Sequence, residues 1–508
     1  MLEHIMEDVI AAVDLGSNSF RVQVARVVGD LVYPLDSLKE TVRLAAGLTD
    51  DKYLDAASQR RALECLMRFG ERLRDLPADS VRAVGTNSLR VAKNAAQFLE
   101  KAERALGFPI EIVAGREEAR LIYLGVSHSL PAGTETRLVV DIGGGSTELI
   151  IGRGTEPIKL ESLYMGCIGY TRRFFPDGRI SEKNLRQAEL AAQTELLTIV
   201  KEFSAASWEQ AIGSSGTAAA IADVLEANGY AESGITSDGL QKLRAALVKA
   251  GDIDRLSLPG LAADRAPVLP GGFAIMRAVF SELGVRHMAT SGGAMRQGIL
   301  YDMLGRAHHH DMRDVTVRQF MQRYHVDVAQ AARVKALALH LLGQFDQGFR
   351  SERAAMARLT GWAADLHEIG ISVAYSGYHK HSGYIIQNAD MPGFSKMEQG
   401  RLALLTLAHR GSLLKTRNVI VRESDWAIVI ALRLAALFQR SRSDIALPEI
   451  RSVLDAGRHC LDIDREWLAL NPQTAHALRE EVREWKKLGF ELNISALSEL
   501  ENSAELVA

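Results

Sequence analysis

The sequence predicts an α/β fold: two duplicated subdomains around a cleft, followed by a mostly α-helical C-terminal region. Three observations predict it. Strand-like and helix-like segments alternate up to about residue 305. One segment occurs twice. After Gly305 strand signals thin out, and Leu, Ala and Arg recur at helical spacing over 313–350 and 395–440. We therefore divide the chain into 1–125, 126–306 and 307–508.

The elements follow in order. Val9–Asp14 is a short apolar run that ends in the turn LGSNS, and it reads as a strand. Leu63–Leu76 has apolar residues at helical spacing. Ser80–Gly85 reads as a strand, Asn94–Leu106 as a helix, Pro109–Val113 as a strand and Glu117–Leu130 as a helix. Arg137–Asp141 is again a strand that runs into glycines.

The repeat relates AAVDLGSNSFRVQVA, from Ala11, to LVVDIGGGSTELIIG, from Leu138. A constant offset of 127 pairs Asp14 with Asp141, Gly16 with Gly143 and Ser19 with Ser146. Each copy is a strand, an aspartate, a glycine turn and a second strand. Two copies imply two similar subdomains that face each other.

Composition narrows the function. The 508 residues exceed the ~100–200 of a typical single domain. The net charge of −3, from 60 basic and 63 acidic residues, supplies no global basic field, so nucleic acid is not expected as a partner and any anion site must be local. Three separated cysteines, Cys65, Cys167 and Cys460, give neither a disulfide framework nor a zinc motif. No signal peptide or membrane-spanning run is expected, which points to a cytoplasmic protein without integral membrane contact.

The turns carry the chemistry. A glycine turn after a strand lets a ligand approach the main chain, and successive N–H groups converge into an anion-binding concavity. Gly143, Gly144 and Gly145 with Ser146 and Thr147 form one such wall; Gly16, Ser17, Asn18 and Ser19 form the other. Two further turns are GSSGT, with Gly216 opening a helix, and SGGA at Ser291–Ala294. An aspartate beside a phosphate repels it unless a cation lies between them. Asp14, Asp141 and Glu148 are thus candidate direct or water-mediated ligands of Mg²⁺.

This constellation resembles the exopolyphosphatase / guanosine pentaphosphate phosphatase family, of the actin-like (RNase H-like) ATPase superfold. The resemblance rests on AAVDLGSNSF, VGTNSLRVAKNA, GREEARLIYLGV, VVDIGGGSTELIIG, YMGC, GSSGT and GGAMRQGILY. LHEIG and HKHSGYIIQNADMPGF extend it over nearly the whole chain. It implies release of the terminal phosphate of polyphosphate, with the 5′-phosphate of guanosine pentaphosphate as the alternative substrate. It implies a divalent cation, with K⁺ as a further candidate, and a homodimer. By the family pattern Glu118 is the catalytic base, Arg90 and Arg265 contact phosphate, and Cys167 lines the cleft as a buried thiol. Glu117 is expected to complement the helix dipole.

The sequence departs from the pattern in places. GGAMRQG shares its first glycine with the pentaphosphatases, whose turn tends toward GGALREG, but carries Gln297 where both branches have glutamate. The helical region resembles an HD-type phosphohydrolase. Its His367-Glu368 pair and the absence of a distal aspartate in Leu432–Ala436 imply a degenerate site without a metal. His308–His310 reads as a linker, and His379 and His381 as candidates for substrate contact or a helix surface. Residues 400–422 hold Arg401, Arg410, Lys415, Arg417 and Arg422 with no acid, a candidate wall of a polyanion channel.

Overall fold

Each glycine turn closes an antiparallel hairpin. In the first, β1 (Asp8–Leu15) pairs with β2 (Ser19–Val28) so that Asp14 lies opposite Arg21 and Leu15 opposite Phe20. In the second, β6 (Thr136–Ile142) pairs with β7 (Thr147–Arg153), with Asp141 opposite Glu148 and Ile142 opposite Thr147. The computed structural model describes residues 8–131, 133–307, 311–345, 349, 352–444, 446–455, 458–494 and 496–497. The linker expected at 308–310 and the tail beyond Leu497 lie outside them. The chain divides into two compact units, Met1–Asp311 and Met312–Ala508.

In the first unit the hairpins grow into two sheets of like order. β3 (Leu31–Thr41) extends the first hairpin, while β4 (Val81–Gly85) runs parallel to β1 and β5 (Ile110–Ile112) parallel to β4. The order is β3-β2-β1-β4-β5. β8 (Glu156–Leu163), β9 (Gln210–Gly213), β10 (Ile235–Thr236) and β11 (His287–Thr290) complete the second sheet, in the order β8-β7-β6-β9-β11-β10. Apart from β10 the two orders match strand for strand, parallel pairings included. The duplication seen in the sequence is therefore a duplication of topology.

Helices cover the sheets. α1 (Ala56–Leu73), α2 (Asn87–Val91), α3 (Ala95–Leu106) and α4 (Gly115–Ser129) belong to the first half. α5 (Cys167–Phe174), α6 (Glu182–Leu196), α7 (Val200–Phe203), α8 (Gly216–Ala227), α9 (Ser237–Ala250), α10 (Leu269–Leu283) and α11 (Met295–Ala307) follow. α1 starts seven residues before the predicted Leu63, because Asp55 accepts from Ser58 N at 2.6 Å and caps it. α4 and α11 share one core with both sheets: Ala119, Ile122, Ile299 and Leu300 pack with Ala12 and Val84 on one side and Val139 and Ile212 on the other.

That packing is tight enough to require glycine twice. A Cβ on Gly298 would lie 1.7 Å from Leu121 O, and one on Gly125 would lie 2.1 Å from Ala294 O. The subdomain boundary drawn at 125/126 falls inside α4, which runs on to Ser129; the second sheet begins at Thr136.

The second unit is mostly helical: α12 (Met312–Arg323), α13 (Val328–Gly343), α14 (Arg353–Leu366), α15 (Tyr378–Asn388), α16 (Lys396–Ala408), α17 (Glu423–Phe438), α18 (Arg465–Leu470) and α19 (Pro472–Lys487). α16 opens on a capping box between Ser395 and Glu398. The unit also contains a sheet that the sequence did not reveal, β12 (Ile450–Asp455), β13 (Arg458–Ile463) and β14 (Glu491–Ile494). In it apolar residues alternate with charged ones over short spans. No helix among the described residues is long and apolar enough to cross a membrane.

Candidate active site

Parallel strands in register end together, and ligands of open α/β sheets bind beyond their carboxyl ends. Leu15 of β1 is level with Gly85 of β4, and Val140 of β6 with Gly213 of β9, which is itself level with Thr290 of β11. The four glycine turns therefore emerge on one side, around a cleft of about 300 Å³. Asp14, Ser17, Asn18, Ser19, Glu118, Asp141, Gly144, Ser146, Gly216 and Arg265 all line it.

The glycines are there for space. Gly16 and Gly143–Gly145 have no left-handed φ. A Cβ on Gly144 would sit 3.0 Å from Ser17 Cβ, and one on Gly145 2.7 Å from Asn87 Oδ1. The two predicted walls thus approach each other closely at this end. Gly216 lies under the Arg265 guanidinium, 2.2 Å from where its Cβ would be. Hydroxyls tie the turns together: Ser214 Oγ donates to Gly293 O at 2.8 Å, Thr217 Oγ1 to Ile142 O at 2.9 Å and Ser88 Oγ to Ser17 Oγ at 2.8 Å.

The carboxylates form one electrostatic cluster. Burial, with the Glu118 charge acting in the same direction, pushes Asp14 and Asp141 up to about 7. Glu118 is itself raised by burial, while Arg90 acts against the rise. Glu148 is raised well above the usual carboxylate range by burial and then by Glu118 and Asp141. The ionised forms need a cation that the neighbouring side chains do not fully supply. Asp14 Oδ1 is buried with no hydrogen-bond partner. Among the described residues no three His, Cys, Asp or Glu side chains gather closely enough to cage a metal. The residues fit an ion held by one or two carboxylates and completed by phosphate and water oxygens, which is how Mg²⁺ is commonly bound.

Three predicted residues stand behind the cleft instead of lining it. Arg90 donates to Glu118 Oε2 at 3.2 Å and to Val113 O at 2.8 Å, so it holds Glu118. Glu148 is 1 % exposed and accepts from Ser162 Oγ at 2.8 Å. Gly145 packs against Asn87. Glu117 stands in the first turn of α4, where its charge faces the helix dipole, and it is buried and gripped by Arg120 with two bonds of 2.8 Å. Burial raises the Cys167 thiol, which keeps it protonated beside the cleft.

Sequence reasoning missed two cationic residues of the site. Arg21 and Arg296 both line the cleft, and both act on Asp14. Arg21 lies across the hairpin from Asp14. Alternation along β2 was the available signal, since Ser19 and Arg21 share a face. Lys39 is level with Arg21 on β3; burial first, and then the Arg265 and Arg21 charges, lower its pKa. Gln297 accepts from Ala294 N at 3.1 Å and caps α11 as a neutral residue.

Two glycine-turn hairpins of one topology bring a buried carboxylate cluster and cationic side chains into one cleft of an α/β protein. Residues 23–307 match the Ppx/GppA phosphatase family and residues 312–482 match that family's domain III. The chain therefore belongs to the Ppx/GppA phosphatase family, and its first unit has the actin-like fold. It is similar to an exopolyphosphatase from Cytophaga hutchinsonii, at 25% identity over 58% of this chain and 97% of that one, with a TM-score of 0.53. It is also similar to an exopolyphosphatase-like protein, at 22% identity over 58% and 97%, TM-score 0.52. A PPX-GPPA enzyme of Aquifex aeolicus matches at 25% identity over 58% and 98%, TM-score 0.48.

In the second unit the basic run is less uniform than its sequence. Arg401 is paired with Asp425, and Arg410 lies over the Tyr378 ring at 5.2 Å, whereas Lys415, Arg417 and Arg422 are exposed. His367 and Glu368 are buried, and Arg442 Nη2 donates to Glu368 Oε1 at 2.5 Å.

Proposed function

We propose that this chain is a divalent-cation-dependent exopolyphosphatase, releasing terminal orthophosphate from inorganic polyphosphate. The observation that carries the reading is Glu118. It is a buried carboxylate at the start of α4, in the same cleft as both duplicated glycine turns. The similarity to an exopolyphosphatase at 25% identity supports the substrate class.

In this reading the backbone amides and hydroxyls of Ser17–Ser19, Gly144 and Ser146 cradle the terminal phosphoryl group, and Arg21, Arg265 and Arg296 neutralise its oxygens. Glu118 orients a water and accepts its proton as the water oxygen bonds to phosphorus. The bridging P–O bond breaks, and the shortened chain leaves with the electron pair. Phosphoryl transfer asks for this positioning and charge neutralisation more than for covalent help. Asp14 and Asp141, with Glu148 behind them, would hold Mg²⁺, which when bound supplies charge neutralisation for the phosphate oxygens.

A second reading, hydrolysis of the 5′-phosphate of guanosine pentaphosphate, is favoured by one observation: Gly292, the residue shared with pentaphosphatases, lines the cleft. In the second unit the guanidinium of Arg442 lies where it neutralises Glu368. This supports a degenerate HD-like module that needs no metal ion. The homodimer is a further part of the proposal, tested by sedimentation.

Phosphate release from polyphosphate, guanosine pentaphosphate and ATP, each with and without Mg²⁺, is the deciding assay. The expected result is Mg²⁺-dependent release that is fastest from polyphosphate. Faster release from guanosine pentaphosphate transfers the assignment to the second reading, and no release from any of them removes both.

A further inference from the structure

The second unit holds a cavity of about 900 Å³, lined by residues of that unit alone. Its floor offers hydrogen-bond acceptors. His367 and His409 are 2 % and 3 % exposed, and burial favours their neutral forms. Each imidazole lies against the carbonyl three residues back, Nδ1 to Ala364 O at 2.7 Å and Nδ1 to Thr406 O at 2.5 Å. A carbonyl can only accept, so Nδ1 carries the proton in both rings; the Nε2 lone pair of His409 faces the Tyr378 hydroxyl at 3.5 Å, and that of His367 accepts no hydrogen bond from another side chain among the described residues.

The rim offers cations and an aromatic surface. Six charged groups of the wall are paired: Arg433 with Glu481, Arg442 with Glu368 and also with Asp327, Glu480 with Arg483 and Glu484 with Lys487. Arg410 and Arg440 have no carboxylate partner among the described residues. Tyr375, 71 % exposed, stands 6.2 Å from the Tyr378 ring. The cavity therefore presents an imidazole acceptor at depth, an exposed tyrosine ring and, at its mouth, two guanidiniums without a carboxylate partner among the described residues, of which Arg410 rests on the Tyr378 ring.

We propose that this cavity is a binding site for a purine nucleoside phosphate, separate from the catalytic cleft. The exocyclic amine of the base donates to the Nε2 atom of His367, the base stacks on Tyr375 and the phosphates meet Arg410 and Arg440. The proposal is independent of which phosphoanhydride the cleft hydrolyses.

Photoaffinity labelling of the full chain with 8-azido-ATP and 8-azido-GTP, followed by peptide mapping, tests it. Label is expected on the peptide that contains Tyr375 and Tyr378. Excess unlabelled nucleotide should protect it and tripolyphosphate should not. The double variant Arg410→Gln/Arg440→Gln should cut that label by about tenfold or more, the scale of a lost charge-assisted contact, while cleft peptides label as before. Label confined to cleft peptides overturns the proposal, as does label that is indifferent to the double variant. Equal protection by tripolyphosphate also overturns it, by showing a phosphate site that does not read a base.

Discussion

Arg90 holds Glu118 from behind, with one guanidinium nitrogen donating both to the carboxylate at 3.2 Å and to the Val113 carbonyl at 2.8 Å. The arginine lowers the pKa that burial raises. A base must be ionised to act, so loss of Arg90 moves the acidic limb of the rate profile to higher pH. Arg90→Met should show this shift in kcat/KM against pH. It should also lose about tenfold to a hundredfold in kcat, as orienting partners do. An unmoved limb would separate Arg90 from Glu118.

Glu118→Gln should cut phosphate release by roughly 10²–10⁴-fold with substrate binding largely kept. Turnover and equilibrium binding measured side by side check this. Near-normal turnover removes Glu118 from its role.

Asp14 and Asp141 give a pH signature that a cation reverses. Their carboxylates move from 3.8 to about 7 on folding. Between those values the native state holds more protons than the unfolded chain, so stability falls as pH rises. In EDTA the unfolding temperature should therefore drop from pH 4 to pH 7, and Mg²⁺ should raise it more at pH 8 than at pH 5. Equal Mg²⁺ effects at both pH values would place the ion elsewhere.

The crossing of α4 and α11 leaves no room for a methyl group. Gly298→Ala should cost about 1–3 kcal/mol or more, since the neighbour is backbone and cannot yield easily. Gly169→Ala, where nothing lies within 4 Å, should instead gain about 0.4–1 kcal/mol. Chemical denaturation of the two variants compares them directly.

Asp302 joins the same helices electrostatically, accepting from Arg82, Arg120 and Arg306. Asp302→Ala strands buried guanidiniums and should cost about 3–5 kcal/mol. Thermal unfolding measures it; a loss under 1 kcal/mol would mean that water reaches the network.

The hairpin duplication was legible because an aspartate, a glycine and a serine kept one offset; the strand order was not, because pairing between distant strands leaves no mark in local alternation. β3 was not legible: it is a largely exposed edge strand with Pro34, Asp36, Lys39 and Glu40 along it. At the site, the motif residues that reach the cleft come from the glycine turns and from the strand and helix ends beside them. Arg90 and Glu148 sit behind because a motif fixes neighbourhood along the chain, not the face a side chain takes. Arg21 and Arg296 escaped notice because one lies within a strand and the other in the first turn of a helix, where an arginine is ordinary until register brings it beside Asp14.

The neutral cap on Ala294 N has a kinetic consequence. With an amide at Gln297, this position adds no negative charge beside the positive end of α11 or the guanidinium of Arg296 next to it. An approaching polyanion meets a local attractive potential on a molecule whose total charge is negative. Capture, more than hold, is then what ionic strength weakens, and added salt slows the encounter before it loosens the complex.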